Sequence, residues 1–238
     1  MKRNFQRQRF LVGISRGSVK YRSLRVLAGF SMVALSFGAA QPVQAANECG
    51  PLVSGFVTCA GGPYLSGISY LAPAGQAVNV TLNSNVTVTT NNENIGNAVN
   101  VSGINSGVSS SPVVLNANGA TITNTGFPNS SLVHQQGLVA SAYGDATVSA
   151  SGKIDVAGQI DTYGILASAI NGGNPNASAS VTYTGPGITI SGSQSAGIFA
   201  VADALKGNAS IDALGNITGT VSAGGSSLAG LVCKFEHR

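Results

Sequence analysis

The sequence predicts an all-β protein whose chain coils into a solenoid of stacked, short strands. Three observations predict this fold class: the second half of the chain repeats itself, apolar and polar residues alternate within each repeat, and the composition favours small side chains. Glycine occurs 32 times, tryptophan is absent, and charged residues make up 8% of the chain, whereas about 25% is ordinary for a soluble domain. Such a composition suits a long, thin core better than a globular one.

Each repeat begins with a short, glycine-led opening segment that occurs four times. These segments are Gly137-Leu-Val-Ala140, Gly164-Ile-Leu-Ala167, Gly197-Ile-Phe-Ala200 and Gly230-Leu-Val232, so successive units start 27, 33 and 33 residues apart. A polar bend, a strand such as Asn208-Ala-Ser-Ile211 and a glycine that leads into another strand follow the opening. Regular spacing in this range indicates a stacked repeat architecture, and one unit therefore consists of three short strands joined by two turns.

Alternation with a period of two places successive side chains on opposite faces of a strand. From Ala146 to Val156 the even-numbered positions hold Ala, Val, Gly and Ile, and the odd-numbered positions hold Thr, Ser, Lys and Asp. The segment from Ala177 to Thr184 repeats this pattern, with only Ser or Thr on its polar side. Helix is disfavoured because Ser, Thr, Gly and Asn follow the openings.

The net charge of +4 does not indicate nucleic-acid binding, because the basic residues belong to the start of the chain. Eight of the 12 basic residues precede residue 26, and from Ala46 onward four basic residues face eight acidic ones, which gives 4 − 8 = −4. No basic face remains that could hold phosphates.

The first 45 residues have the three zones of a secretory signal peptide. An extended basic region runs to residue 25, an apolar run spans residues 26–40, and small residues flank the expected cleavage site between Ala45 and Ala46. The alternative is an N-terminal membrane anchor, but the apolar run is shorter than the roughly 20 residues that a spanning helix needs.

Residues 46–76 are expected to form an N-terminal cap that holds a disulfide loop between Cys49 and Cys59. In an exported chain this spacing, with Gly50-Pro51 and Ser54-Gly55 as turn formers, is compatible with a structural disulfide. The alternative of a metal or redox pair lacks a CxxC spacing and a nearby histidine. A cap is needed because the first repeat of a solenoid has no neighbour on one side.

Residues 77–232 are assigned to the β-helix repeats, and residues 233–238 to a tail outside them. The first layer is expected at residues 78–89, looser layers at 96–126 and a surface loop at 125–134. The fourth unit should continue with alanine after Val232 but reads Cys-Lys-Phe instead. One hypothesis is a truncated or shifted reading frame at about Val232, which would leave Cys233 as an accidental free thiol.

No catalytic, cofactor-binding or metal-binding residue is predicted. The histidines are His134, expected in a solvated loop, and His237, and neither suggests a catalytic triad. The five aspartates of the repeat region occupy different positions within the repeat; they are Asp145, Asp155, Asp161, Asp203 and Asp212. The pairs Gly192-Ser193 and Gly224-Gly225 lack a P-loop lysine, so they are interpreted as turn glycines with positive φ.

The order of these features resembles the N-terminal part of a bacterial autotransporter passenger, from Met1 to about Val232. The features are the basic leader, the close cysteine pair, and Gly-Ile/Leu-x-Ala units followed by Asn-Ala-Ser and Gly-x-Ile strands. The resemblance implies a right-handed parallel β-helix, export through the secretion machinery, and outer-membrane translocation by a C-terminal β-barrel. It also implies a non-catalytic role in adhesion or another interaction with surface or host macromolecules.

The chain departs from this family because nothing after Val232 supplies the alternating, roughly ten-residue strands of a membrane barrel. The family is found at the cell surface, in the outer membrane or secreted, whereas this chain alone is expected in the periplasm. Two other interpretations stay open. One is a β-helical enzyme that degrades polysaccharide, which would require the aspartates to align on one face; the other is a nonfunctional remnant.

Overall fold

The computed structural model describes residues 48–73, 75–90, 96–104, 111–125, 134–170, 174–204, 206–220 and 228–235. All regular structure in these ranges is β-strand, which confirms the predicted all-β class. Within the same ranges no helix is long and apolar enough to cross a membrane. The leader and the cleavage site between Ala45 and Ala46 lie outside the described residues, as do residues 126–133 of the expected loop, Gly224-Gly225 and His237.

Sixteen strands follow one another within the described ranges. They are β1 (Phe56–Cys59), β2 (Ile68–Leu71), β3 (Val78–Leu82), β4 (Thr87–Thr90), β5 (Asn97–Ser102), β6 (Val113–Ala117), β7 (Thr121–Asn124), β8 (His134–Ala142), β9 (Ala146–Ala150), β10 (Ile154–Ile170), β11 (Ala179–Tyr183), β12 (Gly187–Ser193), β13 (Ser195–Asp203), β14 (Ala209–Ala213), β15 (Asn216–Thr220) and β16 (Leu228–Phe235).

Parallel pairing between these strands builds a solenoid with three faces. The first face has the order β1-β3-β6-β9-β11-β14. The second consists of β4, β7, the beginning of β10, β12 and β15, and the third of β2, β5, β8, the end of β10, β13 and β16. Four successive pairings lead from β3 to β14, so the chain makes about four turns between them. The predicted stack of parallel strands is confirmed, and its right-handed sense stays a prediction.

Each face contributes a central column of aliphatic side chains to the interior. The three columns, one residue per turn, are Val80, Leu115, Val148, Val181 and Ile211; Val88, Ile122, Ile154, Ile188 and Ile217; and Val99, Leu138, Ile165, Ile198 and Leu231. The even-numbered side chains from Ala146 to Val156 are buried, as the alternation predicts. Burial of these columns and the hydrogen bonds between turns hold the coil together.

One aromatic side chain interrupts an interior column of small residues. On the first face Ala150 lies opposite Tyr183, and Tyr183 lies opposite Ala213. The buried Tyr183 hydroxyl donates to the Gly152 carbonyl at 3.1 Å and accepts from the Gly187 N–H at 2.8 Å. A Cβ on Gly185 would lie 2.5 Å from this hydroxyl, so glycine at the corner makes room for the ring.

The coil begins earlier than the sequence predicts. The boundary between cap and repeats was placed at residue 77, but β1 pairs with β3 and β2 pairs with β5 in register. Residues 56–71 therefore already form a layer of the solenoid. Their alternation is hard to see because the strands are four residues long and glycine-rich turns separate them.

The predicted disulfide between Cys49 and Cys59 is present, with a Cα–Cα distance of 4.8 Å. Cys59 is the last residue of β1 and is fully buried, while Cys49 and Leu52 pack against the same core. The disulfide thus attaches the segment before β1 to the first layer of the coil.

The coil also extends further than the predicted limit at Val232. Strand β16 continues to Phe235 and pairs with β13, with Cys233 opposite Ala200 and Phe235 opposite Ala202. Cys233 occupies the register position that alanine holds in the preceding turns, and it is a free, exposed thiol. The assignment of residues 233–235 to a separate tail is wrong, because backbone pairing depends on register and not on matching side chains.

Candidate interaction surface

An apolar column runs along the outside of the third face. Val139, Leu166, Phe199 and Val232 lie opposite one another in four successive turns. Each is the third residue of an opening segment, where two apolar residues stand side by side. Because neighbouring residues of a strand point to opposite faces, the first enters the core and the second points away from it. Val139 is nevertheless buried, at 3% exposed, whereas Leu166, Phe199 and Val232 are half-buried. We call this set the outer apolar column.

The outward columns of the other two faces are mainly polar. The column Asn79, Val114, Thr147, Ser180 and Ser210 lies on the first face, and the column Thr89, Thr123, Asp155, Thr189 and Thr218 lies on the second. Some of these side chains have polar partners. The Ser180 hydroxyl lies 3.2 Å from the Thr147 hydroxyl, and Asp155 pairs with the neighbouring Lys153 at 2.6 Å. The outer apolar column therefore stands out against hydroxyl-rich faces.

Stacked glycines position this column. A Cβ on Gly164 would lie 2.5 Å from both the Gly197 carbonyl oxygen and the Ile188 side chain, and a Cβ on Gly137 would meet the Gly164 carbonyl at the same distance. Each opening strand thus lies very close to the next turn and to the second face. Only glycine fits this approach without displacing the backbone, which explains the glycine that starts the first three openings.

A pocket of about 300 Å³ adjoins the outer apolar column. In the neighbouring outward column Tyr163 is followed by Ala196 and Ala229 in the next two turns, so small side chains leave space beside the phenol ring. Phe199 and Val232 form the other wall. The ring centroids of Tyr163 and Phe199 are 5.1 Å apart with an interplanar angle of 33°, a separation that is typical of interacting aromatic pairs.

The rim of the pocket is a fixed corner of the coil. Gln194, which lines the pocket, has φ 53°, and Asp161 one turn earlier has φ 50°. Left-handed backbone is uncommon for residues other than glycine. The Ser195 hydroxyl holds this corner, because it donates to the Ser193 carbonyl at 3.1 Å and lies 3.4 Å from the Thr162 N–H. The exposed Gln194 amide is thereby presented at the pocket.

Behind this corner lies a buried polar group. Thr162 and Gln135 are buried, and Gly158 packs against both side chains. Among the described residues, the Thr162 hydroxyl and the Gln135 carbonyl oxygen have no hydrogen-bond partner. Unsatisfied buried polar atoms oppose folding, so this corner is maintained at a cost in stability.

His134 and Asp161 form a pair near the corner. His134 Nδ1 lies 3.3 Å from an Asp161 carboxylate oxygen. Burial, and secondarily the Asp161 charge, raise the pKa of Tyr163 above its ordinary value. The Tyr163 hydroxyl therefore keeps its proton throughout the neutral range. The sequence predicts a loop at His134, but His134 is the first residue of β8.

The structure does not bring the five aspartates to one face. Asp155 lies on the second face beside Lys153, Asp161 at the corner beside His134, and Asp145 before β9, where it accepts from the Ser178 N–H at 2.8 Å. Asp203 ends β13, and Asp212 lies in β14. Within the described ranges no cluster of histidine, cysteine or acidic residues has the form of a metal site.

Gly192 has the predicted positive φ, 154°, but lies inside β12 and not in a turn. A Cβ there would approach the Thr162 and Ser195 hydroxyls at 2.6 and 2.8 Å. Its role is thus to let the strand pass close to the polar corner.

Comparison with protein-family models, curated proteins and solved structures finds no match to this chain. The resemblance to autotransporter passengers therefore depends on the motifs and on the fold. Tyr163, Gln194 and Phe199 are not among the site residues that the sequence predicts. A signal was present in the openings, because two adjacent apolar residues in a strand require one of them to face outward.

Proposed function

We propose that this chain is an exported, non-catalytic β-helix of the autotransporter-passenger type that acts as a cell-surface interaction module. It binds other macromolecules through the third face. The observation that carries this proposal is the outer apolar column, whose members Leu166, Phe199 and Val232 are partly exposed in three successive turns, on a surface that is otherwise rich in hydroxyl groups.

The solenoid architecture supports this role because a coil of parallel strands presents side chains at fixed, repeated distances on a rigid rod. Contiguous apolar side chains at a surface are typical of interaction sites. The disulfide between Cys49 and Cys59 supports export, since such bonds form and persist in oxidising compartments. Surface display or secretion belongs to the passenger family, and periplasmic delivery is the minimum expected of this chain.

The test uses the full chain, expressed in a Gram-negative host and purified from the periplasm, where the product is expected to begin at Ala46. The purified protein is immobilised and presented with a panel of bacterial and epithelial cells. We expect the wild type to retain cells, and Phe199→Ala to retain several-fold fewer because it removes the largest side chain of the outer apolar column.

Val201→Ala is the matched control, because Val201 lies in the same strand, two residues further on, and also points outward. It should retain cells as the wild type does. Failure of the wild-type protein to retain any cell type, or equal losses in the two variants, would contradict the proposed function.

A further inference from the structure

The pocket beside the Tyr163–Phe199 ring pair combines two kinds of chemistry. It is lined by two aromatic side chains, Tyr163 and Phe199, and by Val232, and Gln194 adds an amide to the lining. Of the described residues that line it, none carries a charge. The pocket can therefore receive a ligand that is apolar on one side, hydrogen-bonding on the other and neutral overall.

We propose that this pocket binds one neutral pyranose ring of a surface glycan. The proposal rests on the proposed function, and it names the partner class for the same face of the coil. It assigns contact with the sugar ring to Phe199 and Tyr163, and hydrogen bonding to Gln194.

A pyranose fits because its two aspects match those of the pocket. Its C–H groups form an apolar patch whose hydrogens carry a small positive charge, which the negative face of an aromatic ring attracts. Its hydroxyls act as both donors and acceptors, as do the Gln194 amide and the Tyr163 hydroxyl.

Other ligand classes fit less well. A purely aliphatic ligand would cover the Tyr163 and Gln194 polar groups without pairing them, which is unfavourable. An anionic ligand would lose hydration without meeting a positive side chain among the described residues that line the pocket.

The dimensions agree with a single ring. A volume of about 300 Å³ is at the lower limit of pockets that hold small molecules. Three successive turns contribute to it through Tyr163, Phe199 and Val232. Longer glycans would extend along the outer apolar column beyond the pocket.

In the direct test, the full-length exported protein is titrated with the methyl glycosides of glucose, galactose, mannose and N-acetylglucosamine. Saturation-transfer NMR measures the binding at each concentration. At least one should bind with a Kd on the order of 1 mM, as expected for a ligand of about a dozen non-hydrogen atoms with modest efficiency. Cyclohexanol and methyl glucuronide, the apolar and anionic comparators, should bind at least tenfold more weakly. Absence of saturable binding by all four neutral glycosides overturns the proposal, as does equal binding of either comparator.

Four variants locate the site. Phe199→Ala should weaken binding at least tenfold, whereas Phe199→Tyr should preserve it because the ring remains. Ala229→Leu fills the pocket and should abolish binding with both aromatic rings present. Gln194→Gly removes the amide while tolerating the left-handed backbone of φ 53°, and it should weaken binding several-fold. Wild-type affinity in both Phe199→Ala and Ala229→Leu would overturn the assignment, provided that their circular dichroism matches the wild type.

Cell retention separates this inference from the proposed function. If cells are retained but neither periodate oxidation of their glycans nor excess methyl glycoside reduces retention, the sugar assignment fails and the interaction role stands. If no cell is retained although a methyl glycoside binds the pocket, the proposed cell-surface role fails and the pocket assignment stands.

Discussion

A middle turn of the coil and the last described turn carry the same repeat in different surroundings. Ile165 in the middle turn and Leu231 in the last occupy the same interior column. Ile165 is 0% exposed and Leu231 is 52% exposed. The difference shows that a repeat does not bury its own apolar side chain; the turns on either side of it do. Equal sequence positions should therefore contribute unequally to stability.

Truncation of a side chain in the interior column should give the largest difference in stability between the two turns. Ile165→Ala should destabilise the protein by about 2–5 kcal/mol, because it removes a fully buried side chain and leaves a cavity between two turns. Leu231→Ala should cost less than about 1 kcal/mol because half of that side chain already contacts solvent. Urea unfolding followed by circular dichroism gives both values. Equal losses would show that the last turn is covered in solution as well as the middle one.

The stacked glycines give a second pair of matched positions. Gly164→Ala should destabilise by about 1–3 kcal/mol, because the added methyl group meets the Gly197 carbonyl and Ile188. A Cβ on Gly230 would have no atom within 4 Å. Gly230→Ala should be neutral or stabilise by up to about 1 kcal/mol, because alanine restricts the unfolded chain. Thermal unfolding of the two variants measures the contrast, and a destabilised Gly230→Ala would refute this account of the column.

Tyr183 tests the contact between its own turn and the preceding turn, which holds Gly152. Tyr183→Phe should cost about 1–3 kcal/mol, because the Gly152 carbonyl and the Gly187 N–H lose their shared partner. Burial raises the pKa of Tyr183 above 10.0, although the Gly187 bond opposes this. The stability that accompanies the neutral hydroxyl is therefore complete below the unfolded pKa of about 10 and is lost as the pH rises through the folded pKa.

The variant Tyr183→Phe should accordingly lose less stability than the wild type between neutral pH and pH values above about 10. Urea unfolding at a series of pH values measures the two slopes. Identical slopes would mean that Tyr183 does not titrate with unfolding. Tyr70 and Tyr163 have raised pKa values for the same main reason, burial, and they are present in both proteins.

The sequence predicted the repeated strands well because their pattern is local. The alternation from Ala146 to Val156 depends on adjacent residues and appears in the structure position by position. The ends of the coil were misplaced for the opposite reason. Whether Phe56 or Cys233 joins a strand depends on backbone pairing with residues 23 and 33 positions away in the sequence, and nothing in their immediate neighbours records it.

The candidate site was harder to predict than the fold. Tyr163 and Phe199 are 36 residues apart and become neighbours only because one turn of the coil separates their strands. The pocket depends equally on what is small, since Ala196 and Ala229 create the space beside the Tyr163 ring. Large or reactive residues are recognisable in a sequence, whereas this site depends on the register that places small alanines beside an aromatic ring.

A chain that repeats itself risks pairing a strand with the wrong copy of its partner, because a shift by one whole turn would exchange one set of alanines and valines for another. Tyr183 makes such an error recognisable. Its ring needs the space at Gly185 and, one turn later, at Gly215, where a Cβ would lie 3.0 Å from the ring. A copy displaced by a turn would meet different corners. An aromatic residue in a column of smaller ones thus gives one turn an identity, and the other turns can be counted from it.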